Sequence, residues 1–109
     1  MSTRLGIERV VGLVVLVLSC GPGRAPAPRL HHVEIRGMAF EPALLEARQG
    51  DEIEWVNDDV VPHTATAAGE FDSGLIAPSQ RWRTRVTHAG EFTYACTLHP
   101  MMTGTLRVR

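Results

Sequence analysis

The stretch Tyr94-Ala95-Cys96-Thr97-Leu98-His99-Pro100-Met101-Met102 brings a thiol, an imidazole and two thioethers close together in the chain. Thiolate and thioether sulfur favour Cu(I), and imidazole accepts both copper states, so copper is the first chemistry these residue types suggest. One cysteine and two histidines in a trigonal set, with a long axial methionine, form an arrangement suited to electron transfer. The spacing Cys96-x₂-His99-x₂-Met102 provides three of those four groups. The fourth must be a histidine from elsewhere in the chain.

His63, in VVPHTAT, is the best placed, because it begins a strand after a loop and a sandwich can bring that loop beside residues 96–102. His31 and His32 stand at the mouth of the first expected strand, where a histidine pair is more often surface. His88 lies in the turn THAGE, one strand length from Cys96, about 20 Å for a strand of six or so residues. Taken singly, Cys96 would be an ordinary buried thiol and His63 a structural histidine; taken together the four groups point to a metal.

Positioning such groups requires a rigid frame, and the period-two patterning from His31 onward predicts strands. Val33 and Ile35 alternate with Glu34 and Arg36, and Ile53 and Trp55 with Glu52 and Glu54. Trp82, Thr84 and Val86 alternate with Arg81, Arg83 and Arg85; Phe92, Tyr94 and Cys96 with Glu91, Thr93 and Ala95; Leu106 and Val108 close the chain. Turn residues separate these runs at Gly37, Gln49-Gly50-Asp51, Asn57-Asp58-Asp59, Ala68-Gly69-Glu70, Asp72-Ser73-Gly74 and His88-Ala89-Gly90. No stretch after the leader offers a capped amphipathic helix of three turns. The expected fold is all-β, an antiparallel sandwich or barrel. The arginines at 81, 83 and 85 are most simply a solvated face, with a partner-docking surface as the alternative.

The chain of 109 residues has room for one domain with one modest core. Its net charge is −1, and all eleven basic residues are arginines scattered among twelve acids, which argues against nucleic acid as a partner. Residues 1–19 look like a signal peptide: Arg4 and Arg9 precede the apolar run Val10–Leu18, which is too short to span a bilayer. Val17-Leu18-Ser19-Cys20 resembles the lipobox of bacterial lipoproteins, so cleavage before Cys20 and lipidation of its thiol are expected, although Leu18 is bulkier than usual there. Ordinary signal cleavage near GRAPAPR is the alternative, and a Cys20–Cys96 disulfide is a weaker third reading. Residues 20–30, rich in Gly, Pro and Ala, form a flexible tether, and residues 31–109 the folded domain.

Across nearly all of 31–109 the sequence resembles the small blue-copper cupredoxins, most closely the amicyanin and pseudoazurin branch. The likeness rests on GMAFEP, on ARQGDEIEWVNDDVVPH and on GEFTYACTLHPMMTGTLRV. It implies a cupredoxin-like Greek-key β-sandwich holding one type 1 copper, with His63, Cys96 and His99 as equatorial ligands and Met102 as the axial one. Spacing favours Met102, leaving Met101 as a hydrophobic collar residue. The resemblance also makes Asn57 the residue that ties the first ligand's loop to the cysteine loop, with Thr97 as its partner. Leu98 departs from the proline common in these loops; its extra N–H near the thiolate would raise the reduction potential.

With four positions filled by protein, such a centre suits a one-electron carrier cycling between Cu(II) and Cu(I) rather than an enzyme, which needs an open metal position. Catalytic relatives commonly wire a second copper through a histidine beside the cysteine, and here that neighbour is Ala95. A copper storage, delivery or sensing module is the alternative function. The resemblance implies that His99 is the exposed exit edge for the electron and a plausible pH switch. Pro62, Leu98, Pro100 and Met101 would form an apolar collar for unidentified redox partner proteins. The expected protein is an exported monomer, periplasmic or at the cell surface, held to a membrane by lipidated Cys20.

Overall fold

The computed structural model describes residues 26–109 together with Gly12. The expected signal peptide, lipidation at Cys20 and the first half of the tether lie outside the described residues. Among those described, nine strands form two sheets: β1 (Leu30–Arg36), β2 (Ala39–Glu41), β3 (Leu44–Ala47), β4 (Glu52–Asn57), β5 (Thr66–Ala67), β6 (Phe71–Asp72), β7 (Arg81–Arg85), β8 (Gly90–Cys96) and β9 (His99–Val108). One sheet has the order β2-β1-β4-β7 and the other β3-β9-β8-β5-β6.

The all-β expectation holds, and the alternating residues face inward where the patterning placed them: Val33, Ile35, Ile53, Trp55, Tyr94, Cys96, Leu106 and Val108 are all buried. Two pairings depart from a purely antiparallel arrangement, since β1 runs parallel to β4 and β3 parallel to β9. Periodicity shows which face of a strand is dry but not its neighbour's direction. That direction is set here by the crossing of the chain between sheets after β2 and again after β3.

Trp55, Tyr94 and Phe40 occupy the centre of the core. The ring of Tyr94 meets Phe40 edge-on at 4.6 Å and Trp55 at 5.5 Å, spacings at which edge-to-face rings attract. Tyr94 pairs with Gly104 across β8 and β9. A Cβ on Gly104 would come within 2.4 Å of the tyrosine hydroxyl, so only glycine leaves room for that ring. Burial pushes the Tyr94 pKa up to about 12.

The arginine face is exposed but it is not solvated in isolation. Arg81 and Arg83 reach Glu54 at 3.2 and 2.8 Å, while Arg83 and Arg85 reach Glu52 at 3.3 and 3.1 Å. Glu54 is buried despite its place in the polar alternation, and its hydrogen bond from Arg83 holds its carboxyl below the usual range. The paired register of β4 and β7, with Glu54 opposite Arg83, makes this cross-strand ladder possible.

Candidate metal centre

The β8–β9 hairpin delivers two of the predicted ligands. Cys96 and His99 are direct cross-strand partners with only Thr97 and Leu98 between them, and the register shifts at Ala95/Cys96. Directly opposed residues in an antiparallel pair project to the same face, so this tight connection turns the thiol and the imidazole toward one region. His99 therefore starts a strand rather than lying in a loop, and it remains partly exposed.

His63 arrives from the far side of the sequence and is fully buried. Its backbone is held by a two-way bridge to Ile76, with His63 N–H donating to Ile76 O at 3.1 Å and Ile76 N–H to His63 O at 2.7 Å. Its Nδ1 lies 3.8 Å from Cys96 Sγ, and its ring centre is 5.4 Å from that of His99. Met102 is buried on the inward face of β9 with Gly104 and Leu106, whereas Met101 points outward and is 96% exposed.

These residues suit a soft metal. With metal bonds of about 2.0–2.1 Å to imidazole nitrogen and about 2.3 Å to thiolate, two donors of a trigonal plane lie roughly 3.8 Å apart. That is the His63–Cys96 separation. Among the described residues no three His, Cys, Asp or Glu side chains are clustered as a ready-made metal site. His63 and Cys96 are the pair already facing each other, with His99 beside them.

The remaining histidines are engaged elsewhere, each beside a carboxylate: His31 Nε2 with Asp51 at 2.8 Å, His32 with Glu54 at 3.3 Å and His88 with Glu70 at 3.1 Å. Cys96 is the free cysteine among the described residues.

The structure corrects the expected tie between loops. Asn57 does not meet Thr97. Its amide donates to Val61 O and Ile76 O, both at 2.9 Å, and its Oδ1 accepts the Asp59 N–H at 2.9 Å, so it braces the loop leading to His63 from within. Thr64 makes the connection instead. Its Oγ1 accepts the Thr97 N–H at 2.8 Å and lies 3.1 Å from Thr97 Oγ1, while its own N–H donates to Cys96 Sγ at 3.3 Å. Position explains the difference: Thr64 follows the buried histidine directly and reaches β8, whereas Asn57 ends β4 in the opposite sheet. The N–H that reaches the sulfur is therefore that of Thr64, a donor the sequence reading missed, and the adjacent Leu98 side chain is half exposed. A hydroxyl residue immediately after a candidate histidine was the available signal.

A second missed residue is Asp59. Its Oδ2 lies 2.8 Å from His63 Nε2, and its carboxylate also accepts the N–H groups of Gly37 and Met38 at 2.7 and 3.0 Å. The amide of Met38 is the leading cause that holds the Asp59 carboxyl below its usual range.

Several exposed apolar side chains neighbour the site residues in the chain. Val60, 92% exposed, and Val61 precede His63, Leu75 precedes its bridge partner Ile76, and Leu98 and Met101 flank His99. Pro62 and Pro100 are exposed beside them.

The family model for copper binding proteins of the plastocyanin/azurin family matches residues 29–109. The amicyanin of Paracoccus denitrificans is 32% identical over 82 residues, covering 70% of this chain and 63% of that protein. The chain thus spans less than two thirds of the length of that curated relative. Among solved structures, the oxidised state of a singly substituted amicyanin superposes with a TM-score of 0.69 at 29% identity, covering 73% of this chain and 82% of that one. A copper-containing nitrite reductase from Thermus scotoductus SA-01 gives the same TM-score and identity, covering 82% of this chain but 24% of the reductase.

Proposed function

From the premise that this chain belongs to the plastocyanin/azurin family of copper binding proteins, we propose that it is a one-electron carrier working outside the cytoplasm. One type 1 copper is its cofactor, and when bound it supplies a single-electron couple between Cu(II) and Cu(I). His63, Cys96, His99 and Met102 are the residues that would hold it. The observation that carries this reading is the approach of a fully buried His63 to Cys96 at 3.8 Å, across more than thirty residues of sequence.

Each residue contributes something a carrier needs. His63 and Cys96, both buried, keep water from the donors. Thr64 and Asn57 brace the two loops, which limits how far the ligands move when the charge changes. The Thr64 N–H draws electron density from the sulfur, a known lever on the potential of such centres. His99 is the partly exposed edge at which an electron leaves, and Leu98, Met101, Val60 and Leu75 offer a small apolar face for a redox partner that must release quickly.

Catalysis is not part of the proposal. The four donors leave no open position, Ala95 stands where a second copper would be wired, and the nitrite reductase likeness covers one part of a larger chain. Export and a lipid anchor at Cys20 belong to it, supported by the sequence of residues 1–20.

Copper titration of the purified protein tests the reading. One equivalent of Cu(II) should produce an intense visible thiolate-to-copper band that Cys96→Ser abolishes. Absence of the band, or its survival in the variant, would overturn the centre. Rapid electron self-exchange is expected of a carrier; very slow exchange would instead indicate copper storage. Cys20→Ala should move the protein from the membrane to the soluble fraction.

A further inference from the structure

Asp59 lies four residues before His63 and is held from three directions. Its own N–H donates to Asn57 Oδ1 at 2.9 Å, its Oδ1 accepts the Gly37 N–H at 2.7 Å, and its Oδ2 accepts the Met38 N–H at 3.0 Å. Gly37 and Met38 are the two central residues of the β1–β2 turn, between the paired Arg36 and Ala39. Both have positive φ, 59° and 62°, the pattern of a two-residue hairpin turn of the primed type. Asn, Asp and Gly are the usual occupants of such positions, and a methionine there is uncommon. In this conformation both amides aim at one carboxylate, and two successive backbone N–H groups aimed at one point make a cradle for an anion.

The remaining capacity of that carboxylate is directed at His63, whose Nε2 lies 2.8 Å from Oδ2. An ionised carboxylate only accepts hydrogen bonds. Nε2 therefore carries the proton, and the lone pair of the neutral ring stands on Nδ1, the atom facing Cys96 Sγ. Which ring nitrogen is free to ligate is set by the bond the other one makes.

We propose that Asp59 is the positioning residue for His63: it selects the ring nitrogen offered to the metal and locks the ring's orientation, and the Gly37–Met38 turn is the anchor that holds Asp59 in place. The metal half of this inference rests on the copper reading above, while the tautomer half does not. Asp59 also brings a negative charge within one imidazole of the centre, which favours Cu(II) over Cu(I) and keeps the reduction potential lower than it would otherwise be.

The test begins without metal. Nitrogen-detected imidazole NMR of the metal-free protein should find a proton on His63 Nε2 in the wild type, protected from exchange with solvent; an unprotonated Nε2 would overturn the proposal with no variant required. In Asp59→Ala that preference should be lost, and in Asp59→Asn, which keeps one oxygen for Nε2–H, it should be restored. The second readout is Cu(II) affinity, expected to fall about 10–100-fold in Asp59→Ala, together with a rise in reduction potential. A role confined to the turn would lower the melting temperature and leave the tautomer, affinity and potential at wild-type values, and that result would also overturn the proposal. Should the wild type bind no copper at all, the carrier reading fails, and the metal-free spectra still decide the role of Asp59.

Discussion

The hydroxyl of Thr64 accepts the backbone N–H of Thr97 at 2.8 Å, joining two segments 33 residues apart at the point where His63 and Cys96 meet. Thr66 Oγ1 donates to the same hydroxyl at 3.1 Å, so one small side chain serves three partners. Replacing it by valine keeps the shape and leaves the Thr97 amide without its acceptor. Thr64→Val should cost about 1–3 kcal/mol in chemical denaturation and broaden or shift the visible copper band, whereas Thr64→Ser should retain both. A valine variant with wild-type stability and spectrum would show that the link between the loops is idle.

The two methionines should separate cleanly. Leucine is close to methionine in volume, so Met102→Leu keeps most of the packing, at a cost below about 1.5 kcal/mol, while removing the thioether. It should change the reduction potential and the electron paramagnetic resonance spectrum, because the axial ligand tunes such centres. Met101→Leu, at a side chain 96% exposed, should leave both spectra as they are. The reverse pattern would make Met101 the axial ligand.

Gly104 is a packing position in the middle of β9. Gly104→Ala would drive a methyl into the ring of Tyr94 and should destabilise the fold by about 1–3 kcal/mol, the usual cost of overpacking. Tyr94→Phe is the companion experiment. The Tyr94 hydroxyl is buried with no hydrogen-bond partner among the described residues, so deleting it should be neutral or slightly stabilising. Thermal melts of the two variants check both statements, and a strongly destabilised phenylalanine variant would contradict the second.

Acid should loosen the end of the domain where the tether enters. Asp51 accepts the Arg29 N–H, the Arg48 N–H and the His31 ring N–H, and these bonds, led by that from Arg29, bring its pKa down from 3.8 to about 2. A carboxyl lowered in the folded state contributes stability above its unfolded value and loses it as pH falls through the folded one. The contribution, roughly 2 kcal/mol, should be complete above about pH 4 and should drain away toward pH 2. Asp51→Asn should therefore be destabilised at neutral pH and converge on the wild type near pH 2 in denaturation measured across that range.

Period-two alternation and turn residues were enough to read β1, β4, β7, β8 and the end of β9, because a half-buried strand must present apolar residues every second position; the short β2, β3, β5 and β6 are too brief to show that period. Residue chemistry proposes Cys96, His99 and Met102 as soft-metal ligands from their tight spacing, and His63 from its place after a loop; the structure brings His63 to 3.8 Å from Cys96. The partners around them were not legible in that way. Thr64, Asp59 and Gly104 carry no pattern of their own; each acts through a residue far away in the chain, Thr97, the Gly37–Met38 turn and Tyr94. Strand direction and the meeting of the His63 loop with the β8–β9 hairpin were decided by how the two sheets close around Trp55 and Tyr94. Local sequence determines which face of a strand is dry and which atoms can ligate; only long-range packing determines which distant hydroxyl, carboxylate or ring arrives beside them.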